Sequence, residues 1–437
     1  MRDMKDSGLD WIAEIPKDWK VDRLKYKFSF GKGLPITKDN LEDEGIAVIS
    51  YGQVHSKVNA GTNIDDELIR YVNERYLKTN AQSLVHKNDF IFADTSEDLT
   101  GCGNCVYVDK EMQLFAGYHT IILRALNEDT KYFSYLFLTD EWRKQLREKV
   151  SGVKLFSVTQ KIIKEAGVII PPIEEQKKIT AYLDKKCDEI RLLCKDIQSQ
   201  ISSLEEYKRS VITEAVTKGL NADVEMKDSG VEWIGQIPKK WETIKIGHIF
   251  SLRNERNFLP EEEVQLLSLY TGIGVFPQGE HTTASGNHAQ TVMGYKVVHK
   301  NDIVVNIILA WMGAIGVSDY DGVTSPAYDV YIPDLTKVVP HYFHYVFRTS
   351  GIAGECYKYG RGIMMMRWRT YSQEFKQIIV PFPSLEEQKI IADYLDTKCT
   401  EIDNAILEKK KQLETLEQYK KSLIYEYVTG KKEVPNE

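Results

Sequence analysis

Two short basic segments combine lysine or arginine with glycine at equivalent places along the chain. They span residues 149–154 and 358–369, and Arg361 follows Lys149 by 212 residues. Arginine can donate two hydrogen bonds to a guanine edge, lysine reaches phosphates, and glycine lets the backbone approach a duplex. This chemistry predicts DNA contacts for six side chains: Lys149, Lys154, Lys358, Arg361, Arg367 and Arg369. For any one of them alone, a solvated basic loop explains the sequence equally well.

Two further polar segments have side chains suited to DNA. Residues 51–55 contain a glutamine whose amide matches the donor and the acceptor of an adenine edge, followed by a histidine. Residues 253–257 combine arginine with asparagine. By the same chemistry as above, we expect the following side chains to lie near DNA: Gln53, His55, Arg253, Asn254 and Arg256.

Motifs for catalysis or metal binding are not recognisable in this sequence. The Pro-Pro pair at 171–172 lacks the flanking residues with which a DNA methyltransferase holds a flipped base. The Gly-Lys pairs at 31–32 and 430–431 lack the preceding glycine of a phosphate-binding loop. Cys102 and Cys105 form a lone Cys-x-x-Cys, which favours a turn between strands over a zinc or redox site. We therefore expect no catalytic residue, no metal and no cofactor, so that the chain is not an enzyme by itself.

An internal repeat provides the elements that must position the basic segments. Three pairs of segments recur: residues 4–19 with 226–241, residues 174–190 with 386–402, and residues 204–210 with 416–422. The first pair matches at 11 of 16 positions and the second at 12 of 17, whereas the residues between the pairs diverge. A duplicated enzyme would keep its catalytic residues in both halves. A copied framework with different contents favours a protein with two distinct recognition domains.

Each copy also contains one long predicted helix with a heptad repeat. The apolar positions are Leu183, Ile190, Ile197, Leu204 and Val211 in the first copy, and Leu395, Ile402, Leu416 and Leu423 in the second. Lys409 occupies the remaining position of the second series. An apolar seam of this length requires a partner, and we expect the two helices to form an antiparallel intramolecular coiled coil. The alternative is that each helix packs on its own domain.

Length and composition are those of a globular protein with more than one domain. The chain has 437 residues, 42% of them hydrophobic and 28% charged, and a net charge of −7 that argues against a small, wholly basic nucleic-acid binder. The longest apolar stretch, residues 304–317, is too short to span a bilayer, and no apolar leader follows the N-terminus. We expect a cytoplasmic protein without membrane segments, with its six cysteines as thiols.

The predicted fold class is α/β in the α+β sense, with an internal pseudo-twofold repeat. Runs with strand composition, such as residues 45–51 and 302–309, alternate with helical segments. We expect four parts along the chain: a first recognition domain at 1–170, a first spacer helix at 171–219, a second recognition domain at 220–382, and a second spacer helix with a tail at 383–437.

The order of these motifs resembles the specificity subunit of type I restriction-modification systems. The residues that carry the resemblance are Trp-Ile-x-x-Ile-Pro-Lys-x-Trp at 11–19 and 233–241, Pro-Pro-Ile-Glu-Glu-Gln at 171–176 with its echo at 383–388, and the helices that end in Leu-Glu-x-Tyr-Lys-x-Ser. The likeness covers essentially the whole chain. No base-reading residue can be transferred, because those loops vary too much within the family.

The resemblance implies a function as well as a fold. Each target recognition domain would bind one half of a bipartite site in double-stranded DNA, and the antiparallel helices would dock two methyltransferase subunits and the restriction subunits that carry the motor and the nuclease. The competing classes are a DNA-processing enzyme, which the missing motifs disfavour, and a coiled-coil adaptor that never binds DNA, which the two divergent domains disfavour. The length of the helices is expected to set the gap between the half-sites.

Overall fold

The two copies of the repeat fold into two units in the computed structural model, which describes residues 2–126, 130–280, 291–362 and 368–435. The first unit comprises residues 1–197 and 412–437, and the second comprises residues 198–411. Each unit therefore contains one recognition domain and a part of each long helix. Within the described ranges, no helix combines the length and the apolar character that crossing a bilayer requires.

The recognition domain of the first unit mixes short strands with short helices. Its strands are β1 (Met4–Leu9), β2 (Ile12–Pro16), β3 (Lys20–Arg23), β4 (Phe28–Lys32), β5 (Leu41–Glu42), β6 (Ile46–Ile49), β7 (Arg70–Val72), β8 (Leu84–Val85), β9 (Phe90–Ala93), β10 (Thr95–Ser96), β11 (Cys105–Tyr107), β12 (Leu114–Ala116), β13 (Thr120–Ala125), β14 (Phe156–Ser157) and β15 (Gly167–Ile170). Its helices are α1 (Tyr51–Val54), α2 (Tyr76–Thr79), α3 (Lys131–Leu136), α4 (Asp140–Arg147) and α5 (Gln160–Lys164). They are followed by the long helix α6 (Ile173–Lys218), which continues into the second unit.

The second unit repeats this arrangement with fewer strands in the described ranges. Its strands are β16 (Met226–Asp228), β17 (Gln236–Pro238), β18 (Glu242–Lys245), β19 (Phe250–Leu252), β20 (Leu267–Tyr270), β21 (Gly274–Pro277), β22 (Lys296–Val298), β23 (Ile303–Asn306), β24 (Ile315–Val317), β25 (Gly322–Thr324), β26 (Tyr328–Pro333) and β27 (Ile379–Phe382). Its helices are α7 (Pro340–Val346), α8 (Ser350–Tyr359) and α9 (Ser372–Phe375). The second long helix, α10 (Leu385–Val428), begins here and ends in the first unit.

A four-stranded antiparallel sheet with the same topology forms the centre of each domain. Its strand order is β11-β9-β13-β4 in the first unit and β24-β23-β26-β19 in the second. The pairs β1–β2 and β3–β15 likewise recur as β16–β17 and β18–β27. Beyond this shared core the units differ: the first adds a five-stranded sheet, whereas the second has the separate pairs β20–β21 and β22–β25. The predicted mixed α/β fold is confirmed, and the copied framework includes a sheet whose sequence has diverged.

The conserved segments of the repeat contact each other within each unit. In the first, the indole Nε1 of Trp19 donates a hydrogen bond to Glu175 at 2.9 Å, and in the second, Trp241 donates to Glu387 at 3.1 Å. Both tryptophans are fully buried. The tryptophan of the opening motif therefore binds the acidic first turn of the helix that follows its own domain, which explains why the two motifs recur together.

A further duplicated segment, residues 131–139 and 341–349 with 5 of 9 positions identical, ties each domain to the long helices. Tyr132 and Tyr135 on α3 correspond to Tyr342 and Tyr345 on α7. Tyr132 donates a hydrogen bond to the carbonyl oxygen of Val428, and Tyr342 donates to that of Val216. Tyr135 donates at 2.6 Å to Asp184, and Tyr345 donates at the same distance to Asp396. Each domain thus binds the beginning of one long helix and the end of the other.

Inside each unit the two long helices run antiparallel. In the first, the rings of Tyr182 on α6 and Tyr427 on α10 are 4.6 Å apart, and Cys194 lies near Glu417. In the second, Lys208 of α6 forms a 2.7 Å ion pair with Asp403 of α10. Within each unit the helices pack both on each other and on the domain. The antiparallel pairing and the alternative, that each helix packs on its own domain, therefore both apply.

The heptad positions are not buried to the same degree. Five of them are buried, Leu183, Ile190, Leu395, Ile402 and Leu423, and all of these except Ile402 belong to the hydrophobic core of a unit. Those in the middle stretches are half-buried: Ile197, Leu204, Val211 and Leu416, together with Lys409. Part of the apolar seam is therefore covered by domain side chains rather than by the facing helix alone.

Candidate nucleic-acid interface

The first basic segment lies on a loop that leaves the C-terminal end of α4. Lys149 and Lys154 are both exposed, and neither forms an ion pair within the described part of the chain. The loop is closed by an antiparallel bridge in which the Ser157 amide donates to the Ser151 carbonyl oxygen at 3.0 Å. Two uncompensated lysines on a closed, protruding loop are well placed to bind phosphates.

The second basic segment follows α8, and its described ends are joined by a bridge as in the first. Its base is a bridge between Arg361 and Arg369, and the two backbones exchange hydrogen bonds of 2.9 and 3.0 Å. The guanidinium of Arg361 is 2.8 Å from Glu374 but its side chain is 75% exposed, so water screens the pair and a phosphate can replace the carboxylate. Lys358 is paired with Glu355 in the same exposed manner. Arg367 lies outside the described residues.

Gln53 and His55 belong to a hydrogen-bonded network rather than to a free surface. The Gln53 side chain accepts from the Ser50 amide and caps α1, so a two-bond contact with adenine would have to break this cap. The His55 ring is bonded at both nitrogens: Nε2 lies 2.8 Å from the Thr95 carbonyl oxygen and Nδ1 lies 3.1 Å from the Asn104 amide nitrogen. Both ring nitrogens are therefore occupied by partners within the domain, and a phosphate contact would have to displace one of them.

The network continues into side chains that sequence reasoning had missed. The Asn104 carbonyl oxygen accepts from Arg143 at 2.7 Å, and the Arg143 Nε donates to the Phe137 carbonyl oxygen at 2.6 Å. Burial lowers the pKa of Arg143. His55, Asn104 and Arg143 line a polar cleft of about 690 Å³. No local motif marks them, because residues 55, 104 and 143 meet only in the folded chain.

Arg253 forms an ion pair with a buried aspartate. Its guanidinium forms two hydrogen bonds with Asp302, of 2.8 and 2.9 Å, and its side chain is only 14% exposed. These bonds raise the pKa of Arg253. Asn254 and Arg256 are exposed on the same segment, and Arg256 donates to the Gly294 carbonyl oxygen at 3.2 Å. In this segment, Asn254 and Arg256 rather than Arg253 can meet DNA without breaking a buried ion pair.

The cysteines have the environment of inert thiols. Cys102 and Cys105 are buried in the core of the first unit, and burial raises the pKa of Cys105 to about 12. Among the described residues, no group of three or more His, Cys, Asp or Glu side chains could hold a metal ion.

Replacing Lys149 and Lys154 together by alanine is expected to weaken DNA binding by the same factor on cognate and unrelated duplexes. Each lost phosphate contact should reduce the slope of log affinity against log salt by about one unit, giving a change of about two. Fluorescence anisotropy at several salt concentrations measures this. Lys177→Ala, which removes an exposed lysine paired with Glu174, is the matched control. An unchanged slope in the double variant would place this loop away from the phosphates.

The comparisons with known proteins agree across sequence and structure. The chain matches the family described as "Type I restriction modification DNA specificity domain" twice, over residues 16–202 and 238–418. A putative type I restriction enzyme MjaX specificity subunit from Methanocaldococcus jannaschii is 26% identical over 432 residues, which cover 96% of this chain and 95% of that protein. The MjaVIII specificity subunit of the same organism is 25% identical and covers 97% and 95% of the two chains.

Two solved structures share the fold. A chain from a study of complex assembly and conformational transition of the type I R-M system has a TM-score of 0.67 at 15% identity, covering 95% of this chain and 99% of that one. The HsdS subunit from Thermoanaerobacter tengcongensis has a TM-score of 0.50 at 16% identity, covering 95% and 98%. At these identities the likeness concerns the arrangement of the backbone alone.

Proposed function

We propose a mode of action that proceeds from one premise: the chain belongs to the type I restriction modification DNA specificity family, whose domain it contains twice. It is a DNA specificity subunit of a type I restriction-modification system, which confirms the family predicted from its motifs. In the proposed mode of action, each domain reads one half of a bipartite DNA site and the chain itself performs no chemistry.

One observation supports the proposal that the two domains recognise different DNA sequences. The central sheet is the same in both units, whereas the strands and loops around it differ. The sheets β11-β9-β13-β4 and β24-β23-β26-β19 have one strand order. Both domains carry a bridged basic loop directly after an equivalent helix, but the loops differ in length and in their apolar residues. A shared scaffold holds the bases of the two loops at equivalent places, while the different side chains of the loops would select different bases.

The long helices are the proposed docking surface for the methyltransferase and restriction subunits. Tyr207 and Tyr419 recur 212 residues apart, and they are 50% and 53% exposed. An equivalent ion pair lies near each tyrosine. Lys398 pairs with Glu401 near Tyr207 in the second unit, and Lys186 pairs with Glu189 near Tyr419 in the first. Exposed aromatic side chains on rigid helices are typical of protein interfaces. Their duplication supports two copies of one partner.

Methyl transfer from S-adenosylmethionine to DNA is expected only when a separate methyltransferase subunit is added to the chain. The physical reason is that the chain supplies recognition while the cofactor site lies in the partner. Incorporation of labelled methyl groups into DNA measures this, with the methyltransferase subunit alone as the control. Transfer by the isolated chain, or equal transfer by the methyltransferase subunit alone, would contradict the proposal.

A further inference from the structure

The loop at residues 151–157 of the first unit is anchored at both ends. Beyond the bridge between Ser151 and Ser157, its last two residues form β14, which pairs with β10. The Val158 amide then donates to the Asp94 carbonyl oxygen at 2.7 Å. The loop therefore projects from the edge of a folded strand pair, and its base has a defined direction.

A single glycine fixes the shape of the loop. Gly152 has a φ of +138°, a conformation that side-chain-bearing residues rarely adopt. A Cβ atom at this position would lie 2.0 Å from the carbonyl oxygen of Leu155. The chain thus folds back on itself between residues 152 and 155, and only glycine permits this close approach.

The tip formed by this turn is apolar. Val153 is 92% exposed, the highest exposure among the large apolar side chains of the described residues, and Leu155 is 53% exposed. Valine is branched at Cβ and has few accessible rotamers, so it loses little freedom when it binds. Val153 lies between Lys149 and Lys154 in the sequence, Leu155 follows Lys154, and both lysines are exposed.

The surroundings determine which part of DNA such a tip can contact. The lysines would bind phosphates, with which an aliphatic side chain has no favourable interaction. The apolar group that a base pair offers in a groove is the 5-methyl group of thymine, in the major groove. Side chains that unstack bases from the minor groove are commonly longer or bulkier, such as Phe, Leu, Ile or Met.

We propose that Val153 reads a thymine of one half-site through its 5-methyl group, while Lys149 and Lys154 hold the adjacent phosphates. This inference rests on the proposed function, because it requires the first domain to bind DNA in the major groove. Part of the sequence specificity then comes from an apolar contact. A search for side chains that can donate or accept hydrogen bonds to bases would not find this residue.

The test uses the complete complex of the chain with its methyltransferase subunits and duplexes that carry its site. Each thymine of the site is replaced singly by uracil, which lacks only the methyl group. One replacement, in one half-site, is expected to weaken binding by the wild-type complex about fourfold, the value of one buried methyl group. Val153→Ala should weaken binding to the unmodified site by a similar or larger factor, and the same uracil should then cause no further loss.

Val21→Ala is the matched control, because Val21 is an exposed valine of the same unit on β3. This variant should keep wild-type affinity and the full uracil effect. Three results would overturn the inference. The first is wild-type affinity in Val153→Ala, and the second is a half-site for this domain without any A·T pair. The third is that every uracil weakens binding by Val153→Ala by the same factor as it weakens binding by the wild type. If no uracil weakens binding by the wild-type complex, the inference has also failed. If that complex binds an unrelated duplex as tightly as its site, the proposed function itself has failed, which is a distinguishable result.

Discussion

Replacing Asp302 by alanine is expected to cost the second unit about 3 to 5 kcal/mol of folding free energy, the usual cost of removing one partner of a buried ion pair. Asp302 is 1% exposed and accepts both hydrogen bonds of Arg253 as well as one of 2.8 Å from the His299 amide. For a unit of this size the midpoint of thermal unfolding should fall by about 10 °C. Calorimetry of the whole chain measures this as a shift of one transition.

Two companion variants make this prediction specific. Asp321→Ala removes an exposed acid near His299 and should change stability by less than about 0.5 kcal/mol. Adding Arg253→Met to Asp302→Ala should recover part of the loss, because it removes a largely buried guanidinium whose remaining acidic partner is Glu255 at 3.2 Å. If Asp302→Ala leaves the midpoint unchanged, the ion pair does not hold the domain together, and Arg253 becomes available as a DNA contact.

Lengthening both long helices by one heptad is expected to abolish methylation of the natural site and to create a preference for a site with a longer unread gap. The insertions belong after Ile197 in α6 and before Gln412 in α10, where each helix passes from one unit to the other. Seven residues add about 10 Å of helix, which corresponds to about 3 base pairs. Contacts within each unit are left intact, so the half-sites should stay the same.

Methylation of duplexes with gaps of different length measures this effect. The matched control inserts two residues at the same positions, which breaks the heptad register and should abolish methylation at every gap length. An unchanged gap preference in the heptad variant would contradict the proposal that the helices set the spacing.

The long helices and the mixed α/β class were predictable because they depend on local patterns. Heptad spacing and the helix-entry prolines are readable over a few turns of chain, and α6 indeed begins at Ile173 and ends at Lys218. The duplication was visible where residues are copied. The repeat that contains Tyr132 and Tyr342 was missed, although 5 of 9 positions match over residues 131–139 and 341–349, because it is short and its offset of 210 residues differs from that of the helices.

The roles of polar residues were harder to predict, because they depend on partners that are distant in sequence. Arg253 has the same side chain as a DNA-contacting arginine, but Asp302, 49 residues away, engages it in the folded domain. A signal was present in the segment His-Lys-Asn-Asp, which occurs in both copies, at residues 86–89 and 299–302. Its asparagines, Asn88 and Asn301, both have a φ of 75°, and its aspartates each accept a hydrogen bond from the histidine amide. The segment is copied because it makes this turn.

The central claim is that each domain independently reads one half of the site, and a domain graft tests it most directly. Residues 20–170 replace residues 242–382, so that both joints fall at the equivalent strand pairs β3–β15 and β18–β27. Sequencing of methylated DNA from cells that express the complex gives the recognised motif. The wild-type chain should yield two different half-sites around an unread gap, and a folded graft should yield the half-site of the first domain on both sides. An uninterrupted wild-type motif, or a graft motif that retains the second half-site, would contradict the claim.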